Sequence, residues 1–373
     1  MHWLPQLVVG LILARLAAQL ALEALNRAET SLHGGVVPGA FHGIMDEATF
    51  AKAADYTLAK SRFASVELVY DALVLIALLF SGVLPVLWAK FDALAPGAAW
   101  SGALFVVVTM LLLSLPGFPL AWWAQFRLEA RFGFNQSTLG LWISDQVKGA
   151  VLGLLIGFPL LWAMLALVHW VGPLWWVWGF ALLFGFQLLM IVLYPKLILP
   201  LFNKLTPLPA GEQRERFLAL AERTGFRAQT IEVMDGSKRS AHSNAFFTGF
   251  GRFRRIVLFD TLMNQLGQEE LEAVLAHEIG HYKRGHIPKR LVSTAVRQVL
   301  GFGVVALQAE SPFFNPAFGL PPGALAPALL LFGLLGGLAT FWFTPVGNWV
   351  SRRHEYEADA FAKHAMGSAS PLV

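Results

Sequence analysis

Long uncharged intervals divide this sequence. No Asp, Glu, Lys or Arg occurs in residues 72–89, 93–126, 149–195 or 311–351. A helix that crosses the hydrocarbon core of a bilayer needs about 20 mostly apolar residues, so each interval has room for a span. The 149–195 interval is long enough for two helices, with a turn expected at Gly172-Pro173. Further spans are expected near 4–25 and 291–308, which makes seven. The pattern changes in 196–290, the only sizeable polar region. There, 211–224 reads as an amphipathic helix with Phe217, Leu218 and Leu220 among its apolar positions. Residues 230–234 read as a short strand closed by the Asp235-Gly236 turn pair, and 244–248 and 255–259 as two further β-prone runs. Residues 268–284 read as a helix. The expected fold class is a mainly α-helical polytopic membrane protein, with seven transmembrane helices and a small α+β domain. Its expected regions are five spans in 1–195, the polar domain in 196–290, and two further spans plus a closing helix in 291–373.

Composition supports a membrane protein. Charged residues make up 14% of the chain, against roughly 25% in an ordinary soluble protein. Residues 1–26 are too long and too apolar, with Arg15 in their middle, to read as a cleaved signal peptide. If the N-terminus faces out, the inward segments are 26–62, 124–148, 196–290 and 351–373. These hold every one of the 28 Lys and Arg except Arg15, Lys90 and Arg297. Basic residues favour the cytoplasmic side, so the polar domain is expected there. Arg15 and Arg297 fall within spans, where a charge must face protein or water; they are expected either to line a cavity or to pair internally, with Glu23 or Glu67 as partners. The net charge of +4 is dispersed, and no basic run suggests nucleic acid.

The polar domain carries the chemistry. His277-Glu278-Ile279-Gly280-His281 is an HExxH pattern on an expected helix. Histidines four apart lie about 40° apart around a helix, so both imidazoles reach one point. Glu278 lies beside that point without having to bind, as suits a general base for water at a metal. The chain has no cysteine, so thiolate sites and disulfides are excluded, and a His/carboxylate site suits one catalytic zinc ion per chain. A third protein ligand is required. It is sought in 351–359, where Glu355 and Asp359 share a helix face; either can bind metal while the other accepts the free N–H of a ligand histidine. Glu357 falls about 160° away around that helix and is expected in solvent. His286, about 180° around from His277 on a continued helix, is expected on the far face, and His354 and His364 in surface or packing roles.

These residues belong to a wider set. Leu201-Phe202-Asn203-Lys204, Thr206-Pro207-Leu208, Asp235-Gly236-Ser237-Lys238-Arg239-Ser240 and His242-Ser243-Asn244-Ala245 precede the HExxH helix, and the 351–359 segment follows it. Upstream stand Phe132-Gly133-Phe134-Asn135, Thr138, Asp145 and Lys148. Together these motifs resemble the CAAX prenyl endopeptidase family, the integral-membrane gluzincin zinc proteases, over nearly the whole chain. The resemblance implies His277, His281 and Glu355 as zinc ligands, Glu278 as catalytic base and Asp359 as an orienting residue. It implies seven helices around a large water-filled chamber. It also implies that Asn244, Ala245 and Phe246 lie on an edge strand to which an extended peptide adds as a further strand. The family pattern continues into a tail with a His-Pro motif and an arginine, whereas this sequence ends at Val373. The oxyanion-stabilising residue is therefore left unassigned.

The expected activity is zinc-dependent hydrolysis of peptide bonds in CAAX-type or membrane-associated polypeptides. The expected partners are an extended peptide or protein substrate, with or without a lipid tail, and membrane lipid. The Ala- and Leu-rich composition suggests a bacterial inner membrane. The alternative is a non-catalytic metal-binding scaffold or transporter, against which the intact Glu278 argues.

Overall fold

The structure is a computed structural model that describes residues 3–43, 45–226, 230–248 and 255–372. Met1, His2 and Val373, at the ends of the expected first and last regions, lie outside the described residues, as do Arg227, Arg252 and Arg254 of the inward basic set. In chain order come α1 (Trp3–His33), α2 (Glu47–Phe80), α3 (Val83–Asp92), α4 (Ala99–Ser114) and α5 (Phe118–Trp123). Then follow α6 (Leu139–Val171), α7 (Trp175–Leu193), α8 (Leu199–Phe202), β1 (Leu205–Pro207), α9 (Glu212–Arg223) and β2 (Thr230–Met234). The rest are β3 (Ala245–Thr248), β4 (Arg255–Phe259), α10 (Asp260–Gln265), α11 (Gln268–Lys283), α12 (His286–Glu310), α13 (Leu325–Thr340) and α14 (Thr344–Met366).

Among the described residues, 6 helical stretches are long and apolar enough to cross a membrane: Trp3–His33, Glu47–Phe80, Ala99–Glu129, Leu139–Phe202, His286–Glu310 and Leu325–Met366. Their surfaces carry exposed Leu, Val and Trp side chains such as Leu13, Leu73, Leu155, Trp178 and Leu300, which an aqueous surface would not solvate. The chain is an integral membrane protein. The seven spans of the sequence reading merge into six because Leu139–Phe202 is one stretch of 64 residues. Within it, the expected break falls at Gly172–Leu174, where Gly172 has φ +61. The 72–89 interval also differs from expectation. Its helix begins far upstream at Glu47, capped by Asp46, whose carboxylate accepts from the Thr49 N–H at 2.8 Å. It stops where Gly82 takes φ +81, and α3 starts beyond. Absence of charge marked the apolar centre of the span but not its helical ends.

The chain forms two compact units. One comprises 1–132, 148–179 and 301–343. Its core is aliphatic and aromatic, with Leu79, Leu84, Phe105, Leu330 and Leu331 almost wholly buried. Arg15 is satisfied without a carboxylate: its Nε donates to Gln19 Oε1 at 3.2 Å and its guanidinium lies 5.7 Å from the Phe341 ring centre. Glu23, one expected partner, instead accepts from the Ser61 hydroxyl.

The other unit comprises 133–147, 180–300 and 344–373 and contains the polar domain. Arg297, on α12 in this unit, is held by hydroxyls of its own helix, Ser293 at 2.6 Å and Thr294 at 3.2 Å. A four-stranded sheet runs in the order β1-β2-β4-β3, with β2 and β4 parallel and the two outer pairings antiparallel. The core of this unit joins sheet residues Ile256 and Leu258 to Phe217 and Leu220 of α9, and to Leu271, Leu275 and Ile279 of α11. Leu218, expected on the apolar face of α9, is exposed, because Phe217, Leu220 and Ala221 already fill the contact with the core. Glu272, buried on α11, is paired with Arg216 of α9.

The packing of α11 on α14 places the chemistry. Ala276, Ile279, Ala358 and Ala362 are fully buried along this seam. At Gly280 a Cβ would stand 3.0 Å from the Ala358 carbonyl oxygen and 3.1 Å from its Cα. Both are backbone atoms and cannot turn aside, so any side chain at 280 would push the two helices apart. Gly280→Val is expected to lower stability by about 1–3 kcal/mol, the usual cost of overpacking. Gly347→Val, on α14 but with open space around it, serves as the control and should shift little. Thermal melting of the two purified variants checks this; equal midpoints would contradict it.

Candidate metal centre

His277 and His281 lie one turn apart on α11, and Glu355 and Asp359 one turn apart on α14. The close seam brings the two pairs together. His277 Nε2 and His281 Nε2 are 3.1 Å apart, and each lies 3.4 Å from Glu355 Oε2. The other face of each imidazole is also engaged. His277 Nδ1 lies 2.8 Å from Asp359 Oδ1.

His281 Nδ1 lies 2.9 Å from His286 Nδ1, and His286 Nε2 lies 3.1 Å from Glu357 Oε2. Arg353 Nε donates to the other oxygen of Glu357 at 3.0 Å, and the His354 ring stacks on that of His286 at 4.0 Å and 16°. Two expectations are corrected here. Glu357 is not free in solvent, since its carboxylate receives both His286 and Arg353. His286 is not on a far face, because α11 ends at Lys283 and Gly285, at φ +68, turns the chain before α12 begins at His286. The Arg284-Gly285 step followed by Pro288 was the available signal: glycine just past a helix and proline in the first turn of the next.

These contacts fix where the ring protons sit. A carboxylate only accepts, so His277 Nδ1 carries the proton shared with Asp359 and Nε2 is left with a lone pair. Likewise His286 Nε2 donates to Glu357, so its Nδ1 is the acceptor and His281 Nδ1 the donor. His281 Nε2 is then also a bare lone pair. Burial holds His281 below the ordinary imidazole value, with the Glu355 carboxylate pulling the other way. Two lone pairs and a carboxylate facing one another repel unless a cation lies between them. Donors of a tetrahedral zinc site with bonds of about 2.0–2.1 Å stand roughly 3.3 Å apart, which the triangle of 3.1, 3.4 and 3.4 Å fits. Glu278, next to the first histidine, is pushed upward by burial, reinforced by Glu355 and opposed by His277.

The remaining motifs gather on the same unit. Arg239 forks onto Asp145, Nε to Oδ2 at 2.8 Å and Nη2 to Oδ1 at 3.1 Å, while its Nη1 donates to Asn203 Oδ1 at 3.1 Å. The Phe134 ring stacks on His242 at 4.3 Å. Asn135 and Ser240 form a β-bridge. Motifs more than 90 residues apart thus form one clasp ahead of β3, and the carbonyl of Asn244, the residue before β3, accepts from Phe259 N at 3.0 Å. Ala245 is buried, and Phe246 packs partly buried near Phe259.

A helical membrane protein with a His/His/Glu cluster and an adjacent glutamate is a membrane metallopeptidase by fold and site. Comparison with known proteins agrees. Residues 27–204 match the profile of the CAAX prenyl protease N-terminal region with five membrane helices, and 207–373 match peptidase family M48. CAAX prenyl protease 1 homolog of Arabidopsis thaliana is 34% identical over 367 residues, 95% of this chain and 85% of that protein. CAAX prenyl protease 1 of Saccharomyces cerevisiae is 35% identical over 88% of this chain and 78% of that protein. The crystal structure of S. mikatae Ste24p superposes with a TM-score of 0.88 at 31% identity, covering 99% of this chain and 89% of that one. The chain belongs to peptidase family M48.

Asp359→Ala removes the acceptor that sets the His277 tautomer. Metal affinity is expected to fall on the order of 10- to 100-fold, as when other partners of ligand histidines are lost. Asp359→Asn, which keeps an acceptor oxygen, should lose less. Competition against a chromophoric chelator reads both, and equal affinities across the three proteins would contradict the role.

Proposed function

We propose that this membrane metallopeptidase is a zinc-dependent endopeptidase in which His277, His281 and Glu355 hold one zinc ion per chain. The triangle of lone-pair donors carries the reading: its spacing fits the ion, and the chain's own hydrogen bonds dispose both histidines to ligate. When bound, the metal supplies a Lewis acid that polarises a peptide carbonyl and makes water nucleophilic near neutral pH. Glu278 then serves as the general base. Its carboxylate oxygen accepts a proton from the attacking water and returns it to the leaving amide nitrogen, and the upward push of burial suits it to both transfers. Asp359 holds the Nδ1 proton of His277 and keeps that ring aimed. The non-catalytic scaffold reading has no support, since a site that only binds metal needs no base at 278.

The substrate is proposed to be an extended segment of a membrane-associated polypeptide, lipid-tailed CAAX-type chains included, as the names of the similar proteins suggest. β3 supports this reading, since among the described residues it pairs only with β4 and stands at the sheet edge with Ala245 and Phe246, and Asn244 leads into it. An extended peptide can add there as a further strand. The distribution of Lys and Arg supports an N-terminus outside and the metal centre on the cytoplasmic side, and the Ala- and Leu-rich composition supports a bacterial cell membrane.

Glu278→Gln is expected to lower peptide hydrolysis about 10²–10⁴-fold, the usual worth of a general base, with zinc still bound one per chain. Hydrolysis by purified protein that is unchanged in the variant would overturn the mechanism. Removal of metal by a chelator should abolish hydrolysis in the wild type, and zinc should restore it.

A further inference from the structure

The residues that hold the first histidine and those that hold the second differ in kind. His277 rests on a carboxylate directly, the arrangement expected from spacing along α14. His281 rests on another histidine. Its Nδ1 partner, His286, is itself only 3% exposed and belongs to a different helix, the first residue of α12. A neutral imidazole is an ambiguous partner, because it can offer a lone pair or a proton at Nδ1. The ambiguity is removed one step further out, where Glu357 accepts from His286 Nε2 and Arg353 anchors Glu357 from the next turn of α14. His354 lies flat against the His286 ring and restrains its rotation.

We propose that His286 and Glu357 form a positioning relay for the second histidine of the metal centre. Glu357 fixes the tautomer of His286, which fixes that of His281 and leaves His281 Nε2 free to ligate. Neither residue touches metal or substrate. The relay draws on three helices: α11 gives the ligand, α12 the intermediate imidazole, and α14 the carboxylate. It therefore couples the aim of the ligand to the start of α12, a helix apolar enough to cross the membrane. This inference rests on the reading of His281 as a metal ligand.

The test uses the full chain purified in detergent, stripped with a chelator and titrated with zinc against a chromophoric competitor. His286→Phe keeps a ring to stack on His354 but offers no acceptor. It is expected to weaken zinc binding on the order of 10- to 100-fold. His286→Gln restores a carbonyl acceptor toward His281 and an N–H donor toward Glu357, and should recover most of that loss. Glu357→Leu and Glu357→Gln form a second pair, with Gln again the better binder, and they decide the matter if a His286 variant does not fold. The cobalt-substituted proteins give a spectroscopic reading, and the tetrahedral absorption should be distorted in the Phe and Leu variants only. A purely structural role would lower the melting temperature of the stripped protein and leave the affinity order untouched. Equal zinc affinity in wild type and His286→Phe, or Gln variants as weak as Phe and Leu, would overturn the relay alone. Failure of the underlying reading shows differently, as wild type that takes up no zinc or His281→Ala that binds as wild type does.

Discussion

The approach of α11 to α14 at Gly280 is the constraint on which the site depends. Each helix alone carries half a metal centre, two imidazoles on one and two carboxylates on the other. Neither half has a use for the other unless the backbones come within van der Waals contact. A row of residues with small or no side chains at the seam, Ala276, Gly280, Ala358 and Ala362, permits that contact. From the positions next to Ala276 and Gly280 on α11, and one turn before Ala358 on α14, the ligand atoms then meet at 3.1–3.4 Å. The small side chains at the seam set the ligand spacing.

The polar domain anchors this seam on one side. Leu271, Leu275 and Ile279 of α11 are sunk in the core shared with the sheet and α9, so the face bearing His277 and His281 is held against rotation. On the other side, α14 continues a stretch apolar enough to cross a membrane, Leu325–Met366. The centre thus joins α11 to a helix that packs into the same core through Ala362 and that ends this long apolar stretch.

Much of this was legible in the sequence because the signals were local. Uncharged intervals located the apolar centres of spans, and i, i+4 spacing paired His277 with His281 and Glu355 with Asp359. What escaped was anything decided by a helix end or by a contact between distant elements. The 72–89 interval failed as a helix boundary because Gly82, at positive φ, breaks it and the helix begins among charged residues at Glu47. The angular argument that dismissed His286 assumed a straight helix through Gly285, where the backbone turns. Glu357 was assigned to solvent by its angle on α14, which is blind to α12 beside it. The pairing of Arg239 with Asp145 could not be read at all, because separation along the chain says nothing of proximity for residues 94 positions apart.

The central claim is that a metal sits where three unprotonated donors converge. Anomalous diffraction at the zinc absorption edge, from crystals of the full chain grown without added metal, tests it most directly. The account predicts one anomalous peak per chain, within bonding distance of His277 Nε2, His281 Nε2 and a Glu355 carboxylate oxygen. A chain with measured peptidase activity but no peak at that position, or with its only peak elsewhere, would contradict it.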